Sequence, residues 1–174
     1  MTLDGNILLW IQDYIRVDWM TPFWIFLSKL GNGGMIWIIS ILVFLIPKKT
    51  RKMALLAAIS LLLGWSCNEL IKHLAVRTRP YDAITTLQRL VPKPSGYSFP
   101  SGHTCVAFST AMIYFRMLPK KEGSIFLILA ILIGLSRLYV GVHYPTDVLV
   151  GCIVGCLWSS IVLSIYNKKK QEKI

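Results

Sequence analysis

Long apolar runs, separated by short polar or basic segments, dominate the chain. Five such runs cover Gly34–Ile46, Met53–Leu74, His103–Leu118, Ile125–Val140 and Val148–Ile165. An α-helix rises ~1.5 Å per residue, so about 20 apolar residues cross a hydrocarbon core of about 30 Å. The runs therefore predict a bundle of membrane helices, in which the shorter ones extend into their flanking residues.

The N-terminal part of the chain is less regular. Leu3–Arg16 is apolar but interrupted by polar side chains, and Asp18–Leu30 is apolar and aromatic with one proline and one lysine. Three tryptophans suit the boundary between membrane and water: Trp10, Trp19 and Trp24. We predict an interfacial helix within residues 1–17, a short or re-entrant segment at Asp18–Leu30, and a tight turn at Gly31–Gly34. The fold class is then an all-α integral membrane bundle with about six membrane segments, in one domain over residues 1–174.

The chain is basic, with a formal net charge of +11. Its cations gather between the apolar runs: Lys48, Lys49, Arg51 and Lys52; Lys120 and Lys121; and Lys168, Lys169, Lys170 and Lys173. Short loops that are rich in lysine and arginine are typical of the cytoplasmic side of membrane proteins. This distribution favours a plasma-membrane protein with a cytoplasmic C-terminus, and it argues against a nucleic-acid partner.

The four cysteines lie within apolar runs: Cys67, Cys105, Cys152 and Cys156. None belongs to a CxxC pair or lies at a metal-ligand spacing from a histidine. Cys152 and Cys156 are one helical turn apart, but the sequence offers no convergent third ligand. We interpret all four as small hydrophobic residues and predict no metal.

One long polar stretch, residues 77–101, contains four prolines and is predicted to be a loop. If the apolar runs cross the membrane alternately, this loop lies on the face opposite the basic clusters. The turn around residues 141–147 and the start of the third run lie on that same face. We therefore predict that these polar segments, distant in sequence, meet at the extracytoplasmic side.

The polar residues of this face fall into three clusters: Lys72 with Arg79 and Pro80; Pro100, Ser101, Gly102 and His103; and Ser136, Arg137, His143 and Asp147. Ionisable side chains that converge at membrane helix ends are candidates for a functional site. Arginine offers planar, bidentate donors that match phosphate oxygens, and lysine adds a point charge. A helix that begins near Ser101 and Gly102 adds free backbone N–H groups, which also bind anions.

Two histidines add reactive groups to this predicted phosphate pocket. His143 and Asp147 have a spacing that lets the carboxylate bond one ring nitrogen, which fixes the tautomer and makes the other nitrogen more nucleophilic. Pro145 is suited to opening the helix that carries Asp147. His103 is a second imidazole, suited to protonating a leaving oxygen.

Taken singly, these residues have ordinary structural interpretations. Lys72 and Arg79 are compatible with interfacial anchors, and Asp147 with a helix-dipole partner. Asn68 and Glu69 lie about one turn before Lys72 and are expected to pair with it or to line a cavity. Arg77 is expected to assist attraction of phosphate or of a headgroup. The spacing of Gly151 and Gly155 predicts a small-residue face for close helix packing.

The three clusters resemble the signature motifs of the type 2 phosphatidic acid phosphatase (PAP2) superfamily, KxxxxxxRP, PSGH and SRxxxxxHxxxD. Every fixed position is present, and in the same order. The resemblance implies that His143 is a nucleophile that forms a phosphohistidine, with Asp147 as its orienting partner and His103 as the general acid. It assigns the phosphate to Lys72, Arg79, Ser101, Gly102 and Arg137, with Pro80 and Ser136 in support, and it implies no cofactor.

The expected function is hydrolysis of a lipid phosphate or diphosphate, such as undecaprenyl diphosphate, phosphatidylglycerol phosphate or phosphatidic acid. The expected partners are that substrate and the membrane lipids, with no nucleic acid and no obligatory protein partner. One alternative is a lipid transporter or flippase that binds phosphate headgroups, which would not need the His143–Asp147 pair. Another is a phosphatase of soluble phosphate esters. A haloperoxidase has a similar pocket, but those relatives are soluble and larger.

Overall fold

The computed structural model describes residues 2–172, and its regular structure over that range is entirely helical. The helices are α1 (Leu3–Trp10), α2 (Thr21–Leu30), α3 (Met35–Leu45), α4 (Arg51–Ala75), α5 (Pro80–Ala83), α6 (Gly102–Met117), α7 (Lys120–Tyr139) and α8 (Pro145–Gln171). A π-helical turn, Ile11–Ile15, continues α1, and a 3₁₀ turn, Asn32–Gly34, joins α2 to α3. The prediction of an all-α fold is confirmed.

Within the described range, three stretches are long and apolar enough to cross a bilayer: 51–83, 120–139 and 145–171. The pair α2 and α3, bent by 51°, becomes a fourth if the two helices form one span. Helix α6 has 16 residues, which at ~1.5 Å per residue reach only about 24 Å. The prediction of about six membrane segments is therefore not confirmed.

The contacts of α2 and α3 indicate one broken element rather than two separate segments. Thr21, at the start of α2, lies 3.1 Å from the hydroxyl of Tyr139, which ends α7. Ser40, in α3, lies 3.0 Å from the hydroxyl of Tyr114, near the other end of the bundle. The two helices thus run one after the other along the bundle, and the short or re-entrant segment predicted at Asp18–Leu30 forms the first half of this element.

The predicted tight turn at Gly31–Gly34 is confirmed and lies at the break between α2 and α3. Gly33 and Gly34 have φ values of 59° and 68°, in the left-handed region that residues with a Cβ rarely adopt. A Cβ on Gly31 would lie 2.9 Å from Cδ2 of His103. The turn is therefore shaped both to bend the chain and to leave room for that histidine.

Helix α6 lies at the centre of the bundle and packs against α4, α7 and α8. A Cβ on Gly151 would lie 2.6 Å from the carbonyl oxygen of Ser101, and one on Gly155 would lie 2.6 Å from that of Cys105. Only glycine fits such an approach, so the predicted small-residue packing face is confirmed. The close contact brings the start of α8 beside the start of α6, where the Ser101 N–H donates to the carbonyl oxygen of Asp147 at 2.9 Å.

The predicted loop at 77–101 contains one short helix, α5, and otherwise has no regular structure. It covers the end of the bundle together with α1. Leu8 of α1 is fully buried against Ile84 and Leu87 of the loop and against Tyr144. The helix predicted within residues 1–17 is thus present, and its location at the membrane interface remains a prediction.

Large apolar side chains are exposed on the outer surfaces of the long helices. Among them are Leu42, Leu55, Ile59, Leu62, Ile128, Ile131, Leu149, Ile153, Leu157 and Ile161. An exposed apolar surface of this extent is unfavourable in water and suits contact with lipid. Together with the long apolar helices, it supports an integral membrane protein.

Candidate active site

The third cluster is organised by the start of α8. Pro145 occupies the first turn of the helix, as predicted, and Tyr144 is the N-cap. The carboxylate of Asp147 accepts a hydrogen bond from the Tyr144 backbone N–H at 2.8 Å. The same oxygen lies 3.4 Å from Nδ1 of His143. The capping interaction therefore fixes the carboxylate that faces the histidine.

The other ring nitrogen of His143, Nε2, lies 3.4 Å from Nη1 of Arg79. A guanidinium donates and does not accept, so Nε2 is the unprotonated nitrogen and Nδ1 carries the hydrogen toward Asp147. Burial lowers the pKa of His143 to about 4, despite the contact with Asp147, which raises it. The imidazole is therefore neutral near pH 7, and Nε2 carries no proton, as a nucleophile requires.

Two arginines, Arg79 and Arg137, are buried beside this histidine. Arg79 donates to the carbonyl oxygens of Gly96, Ser95 and Val142 at 2.9, 3.0 and 3.1 Å. Arg137 donates to the hydroxyl of Ser28. Across residues 2–172, no carboxylate oxygen lies within 4.0 Å of either guanidinium.

Buried charges in proteins are normally paired, because desolvation of an isolated ion is unfavourable. Arg79 is 6% exposed and Arg137 only 2%. In addition, Nε of Arg137 has no hydrogen-bond partner within the described part of the chain. The two side chains therefore form a positive site with donor capacity left for an anion.

Lys72, near the end of α4, places a third cation beside the start of α6. A Cβ on Gly102 would lie 3.7 Å from Nζ of Lys72 and 3.6 Å from Nδ2 of Asn68. Nζ donates to Glu69 at 2.6 Å, so the expected pairing of Glu69 with Lys72 is confirmed. Asn68 is fully buried and lies behind these groups.

His103 lies on the first turn of α6, and its Nε2 is 2.9 Å from Oδ1 of Asn32. An amide oxygen only accepts, so in this arrangement Nε2 carries a hydrogen. Asn32 belongs to the turn between α2 and α3, which places that turn in contact with the site. The contact orients the His103 ring at the edge of the cavity.

A single cavity of about 570 Å³ joins these groups. Six of the residues assigned by the sequence motifs line it: Lys72, Arg79, Gly102, His103, Arg137 and His143. The lining also has an apolar part, here called the apolar wall, which includes Ile38 of α3 and Leu61, Leu62 and Trp65 of α4. Leu62 and Trp65 are also exposed on the outer surface of the bundle, so the cavity extends from the charged site to the lipid-facing side.

The remaining motif residues are buried behind the cavity. The Ser101 hydroxyl is hydrogen-bonded to that of Thr104 at 3.0 Å, and its N–H is already used by Asp147. Ser136 donates to the carbonyl oxygen of Ile133 at 2.6 Å. Pro80 is buried and begins α5. Of the two PSGH residues that the resemblance assigned to the phosphate, Gly102 lines the cavity and Ser101 does not.

Several side chains at the site have no counterpart in the sequence predictions. Ser28 binds Arg137, Asn32 binds His103, and Ser98 donates its hydroxyl hydrogen to Asp147. The carbonyl oxygens that hold Arg79 belong to the loop. These contacts join segments far apart in sequence and follow no fixed spacing; only the prolines and the glycine turn marked the segments as irregular.

The chain is similar to a known family and to several known proteins. Residues 52–171 match the family model described as the PAP2 superfamily. An undecaprenyl-diphosphatase of Sulfolobus acidocaldarius is 32% identical over 162 residues, covering 93% of this chain and 78% of the relative.

Two solved structures share the fold. The crystal structure of Aquifex aeolicus LpxE aligns with a TM-score of 0.85 and 25% identity, over 94% of this chain and 96% of that one. A transmembrane PAP2-type phosphatidylglycerolphosphate phosphatase from Bacillus subtilis aligns with a TM-score of 0.77 and 28% identity, over 95% and 85%. The matched segment contains all three motifs. The chain therefore belongs to the PAP2 superfamily, as a phosphatase of phosphoric monoesters or diphosphates.

Proposed function

We propose that this protein hydrolyses the phosphomonoester or diphosphate of a membrane lipid through a phosphohistidine at His143. The observation that carries the proposal is the cavity, which joins a neutral histidine and three cations to an apolar wall on the lipid-facing side. The charged end suits a phosphate, and the apolar wall suits a lipid chain. A soluble phosphate ester would gain nothing from that wall.

In the first step, Nε2 of His143 attacks phosphorus in line with the leaving oxygen. The P–N bond forms while the bond from phosphorus to the leaving oxygen breaks, and His103, in its protonated imidazolium form, gives a proton to that oxygen. Asp147 accepts the Nδ1–H of His143 and stabilises the positive charge that develops on the ring. The cations compensate the negative charge on the equatorial oxygens.

In the second step, a water molecule attacks the phosphohistidine. His103, now neutral, accepts the proton from the water, and His143 leaves with its electron pair restored. Free phosphate and the original protonation states result. Among the described residues, no three histidine, cysteine, aspartate or glutamate side chains lie together as a group that could hold a metal ion. The proposed steps use only the protein's own side chains and water.

The substrate class is supported by the relatives. One is an undecaprenyl-diphosphatase and one is a phosphatidylglycerolphosphate phosphatase. We propose undecaprenyl diphosphate, phosphatidylglycerol phosphate and phosphatidic acid as the substrates to compare. The apolar wall recognises the chain and the cations recognise the phosphate, so the relative rates depend on how each headgroup fits between them.

The test is phosphate release by the purified protein in detergent. The panel contains the three lipids, with glucose 6-phosphate as the soluble ester, in buffer with EDTA. We expect turnover of at least one lipid, no dependence on Mg²⁺, and inhibition by vanadate, a phosphate analogue. Turnover of glucose 6-phosphate alone, or a strict Mg²⁺ requirement, would contradict the proposal.

The intermediate is tested separately. With a substrate labelled in the terminal phosphate, rapid quenching in base should leave label on the protein, because phosphohistidine is stable to base and labile to acid. His143→Ala is the control and should retain none. Label on a different residue would overturn the assignment of the nucleophile, and transport of the lipid without phosphate release would favour a flippase.

A further inference from the structure

The carboxylate of Asp147 has an additional cationic partner that lies outside the three motifs. One oxygen accepts from Ser98, from the Tyr144 N–H and from His143. The other accepts from Nη1 of Arg77 at 2.6 Å. Asp147 is fully buried, and Arg77 is its one permanently charged partner within residues 2–172. A buried carboxylate is unfavourable without such a counter-charge.

Arg77 is itself held from three directions. Its Nη2 donates to Asp4 at 2.7 Å, and its Nη1 also donates to the Thr146 hydroxyl at 2.7 Å. The guanidinium carbon lies 3.9 Å from the centre of the Tyr144 ring, a distance suited to a cation–π interaction. These contacts leave the guanidinium with one orientation, in which it bridges two carboxylates.

The second carboxylate comes from the first turn of α1. Asp4 also accepts from Thr146, through the hydroxyl and through the backbone N–H at 3.3 Å. Partial burial would raise the pKa of the Asp4 carboxyl, but the hydrogen bonds from Arg77 and Thr146 outweigh it and lower the pKa. The carboxylate is therefore charged at neutral pH. Leu8 anchors the same helix to the loop and to Tyr144.

Arg77 and Arg79, two residues apart, have opposite environments. Arg79 lines the cavity, binds only carbonyl oxygens and the histidine ring, and has charge left for a phosphate. Arg77 binds two carboxylates and, among the described residues, is not part of the cavity lining. Its charge is already used inside the protein, so the structure does not support the expected attraction of phosphate by Arg77.

We propose that Arg77 and Asp4 are positioning residues that hold Asp147 in place, so that helix α1 is part of the catalytic apparatus. Asp4 fixes Arg77, Arg77 fixes and neutralises one side of the Asp147 carboxylate, and Asp147 orients His143. Neither residue contacts the substrate. This inference rests on the proposed role of His143 as nucleophile.

The test compares Arg77→Gln and Asp4→Asn with matched controls from the same face. Arg89→Gln and Asp82→Asn remove an arginine and an ion-paired aspartate that do not contact Asp147. Loss of a partner that orients a metal ligand lowers metal affinity or activity ~10–100-fold, and we expect a similar range for a residue that orients a catalytic carboxylate. We expect a loss of that size in kcat for Arg77→Gln and a smaller loss for Asp4→Asn. KM should change little, because the cavity lining is untouched, and both controls should retain full activity.

Two further variants separate positioning from general destabilisation. Arg77→Lys keeps the charge and should recover part of the lost kcat. Asp4→Asn added to Arg77→Gln should cause almost no further loss, because residues that act through one another are not additive. Full kcat in Arg77→Gln, or independent, multiplying losses in the double variant, would overturn the proposal.

The pH profile supplies a readout that a purely structural role would not change. His143 is faced by Arg79, Arg137, Asp147 and, across the cavity, His103. Without Arg77, the Asp147 charge is less neutralised and favours the protonated imidazole, so the pKa of His143 should rise. The acidic limb of kcat/KM should then move to higher pH in Arg77→Gln and stay in place in the controls; an unchanged limb would contradict the positioning role.

The outcomes also distinguish this inference from the proposed function. If His143→Ala and Asp147→Asn abolish turnover while Arg77→Gln does not affect it, only the positioning role fails. If His143→Ala retains turnover, the proposed function itself fails.

Discussion

The two ends of the helical bundle both contain cations, but in opposite environments. At the site end, Arg79 and Arg137 are buried beside His143 and have no carboxylate partner within the described residues. At the other end, the lysines between and after the long helices are exposed: Lys48, Lys49, Lys120, Lys121, Lys168, Lys169 and Lys170. Their charges are solvated, so they need no partner.

The difference shows that burial, rather than net charge, determines what a cation does here. A solvated lysine interacts weakly and is screened by salt within about 10 Å. A buried guanidinium without a counter-ion is unfavourable until an anion arrives, and its interaction with that anion is stronger because water is excluded. The net charge of +11 therefore says little about the chemistry of the site unless the buried cations of one end and the solvated cations of the other are considered separately.

The largest effect should come from the nucleophile at the site end. Since no other described side chain combines a neutral imidazole with an orienting carboxylate in the cavity, His143→Ala should lower kcat by at least ~10⁴-fold. The same variant should keep its thermal midpoint in detergent within a few degrees, because the site is not the apolar core. Phosphate release from the best lipid of the panel measures the loss, and near-normal activity would refute the assignment.

Removal of a buried cation should cause the second-largest loss of kcat. It tests the comparison between the two ends of the bundle directly. Arg137→Gln removes charge stabilisation in a site shielded from water, and the loss of one such group typically costs about 10²–10³-fold in kcat. The matched variant at the other end, Lys120→Gln with Lys121→Gln, should leave kcat within a factor of about two. Similar losses in the two variants would mean that overall charge, not burial, controls activity.

The general acid is expected to have a smaller and substrate-dependent effect. His103→Ala should lower kcat by ~10²-fold with a lipid alkoxide leaving group, because that oxygen needs a proton. With p-nitrophenyl phosphate, whose leaving group is stable as an anion, the loss should be much smaller. Equal losses for both substrates would argue against proton donation by His103 and for a role in binding.

The motifs of the sequence selected residues that the structure brings together at the site end, because their fixed spacings are short. His143 to Asp147 is a helix-start spacing, and the PSGH segment is contiguous, so local geometry constrains both. The partners Ser28, Asn32 and Asp4 could not be found in this way, because each reaches the site only through packing of a distant helix.

The number of membrane segments was predicted less well, for a related reason. Hydropathy shows where a chain can be buried but not where a helix continues after a bend. The glycines between α2 and α3 predict a turn, and only the contacts of Thr21 and Ser40 show that both helices follow one path across the bundle. The spacing within a motif is determined by local geometry, whereas the path of the chain is determined by contacts between distant helices.

Burial at the site end should also be visible in the titration of His143. Its pKa, lowered from 6.5 to about 4, means that the ring stays neutral as pH falls through 6 and becomes protonated only near pH 4. Histidine resonances of ¹³C-labelled protein in micelles, assigned by their loss in His143→Ala, measure this directly. A midpoint near 6.5 would show that the site is more hydrated than its burial indicates.

The last prediction concerns which end faces the cytoplasm and involves no change in activity. The exposed lysines lie in short segments at one end, and lysine and arginine in short loops determine orientation most strongly. The site end has Arg89 and Lys93 in its loop, which weakens the contrast. However, that loop is the longest in the chain, and long loops contribute less to orientation. We therefore expect the lysine end to be cytoplasmic and the site to face the opposite side.

Two exposed glutamines, one at each end, allow a matched labelling test. Gln88 is in the site-end loop and Gln171 ends α8, and both side chains are exposed. In a background with the four native cysteines replaced by serine or alanine, Gln88→Cys should react with a membrane-impermeant thiol reagent in intact cells, and Gln171→Cys only after permeabilisation. Both variants should retain activity, because neither side chain lines the cavity. The reverse labelling pattern would place the site on the cytoplasmic face, and the substrate would then have to be a lipid of the inner leaflet.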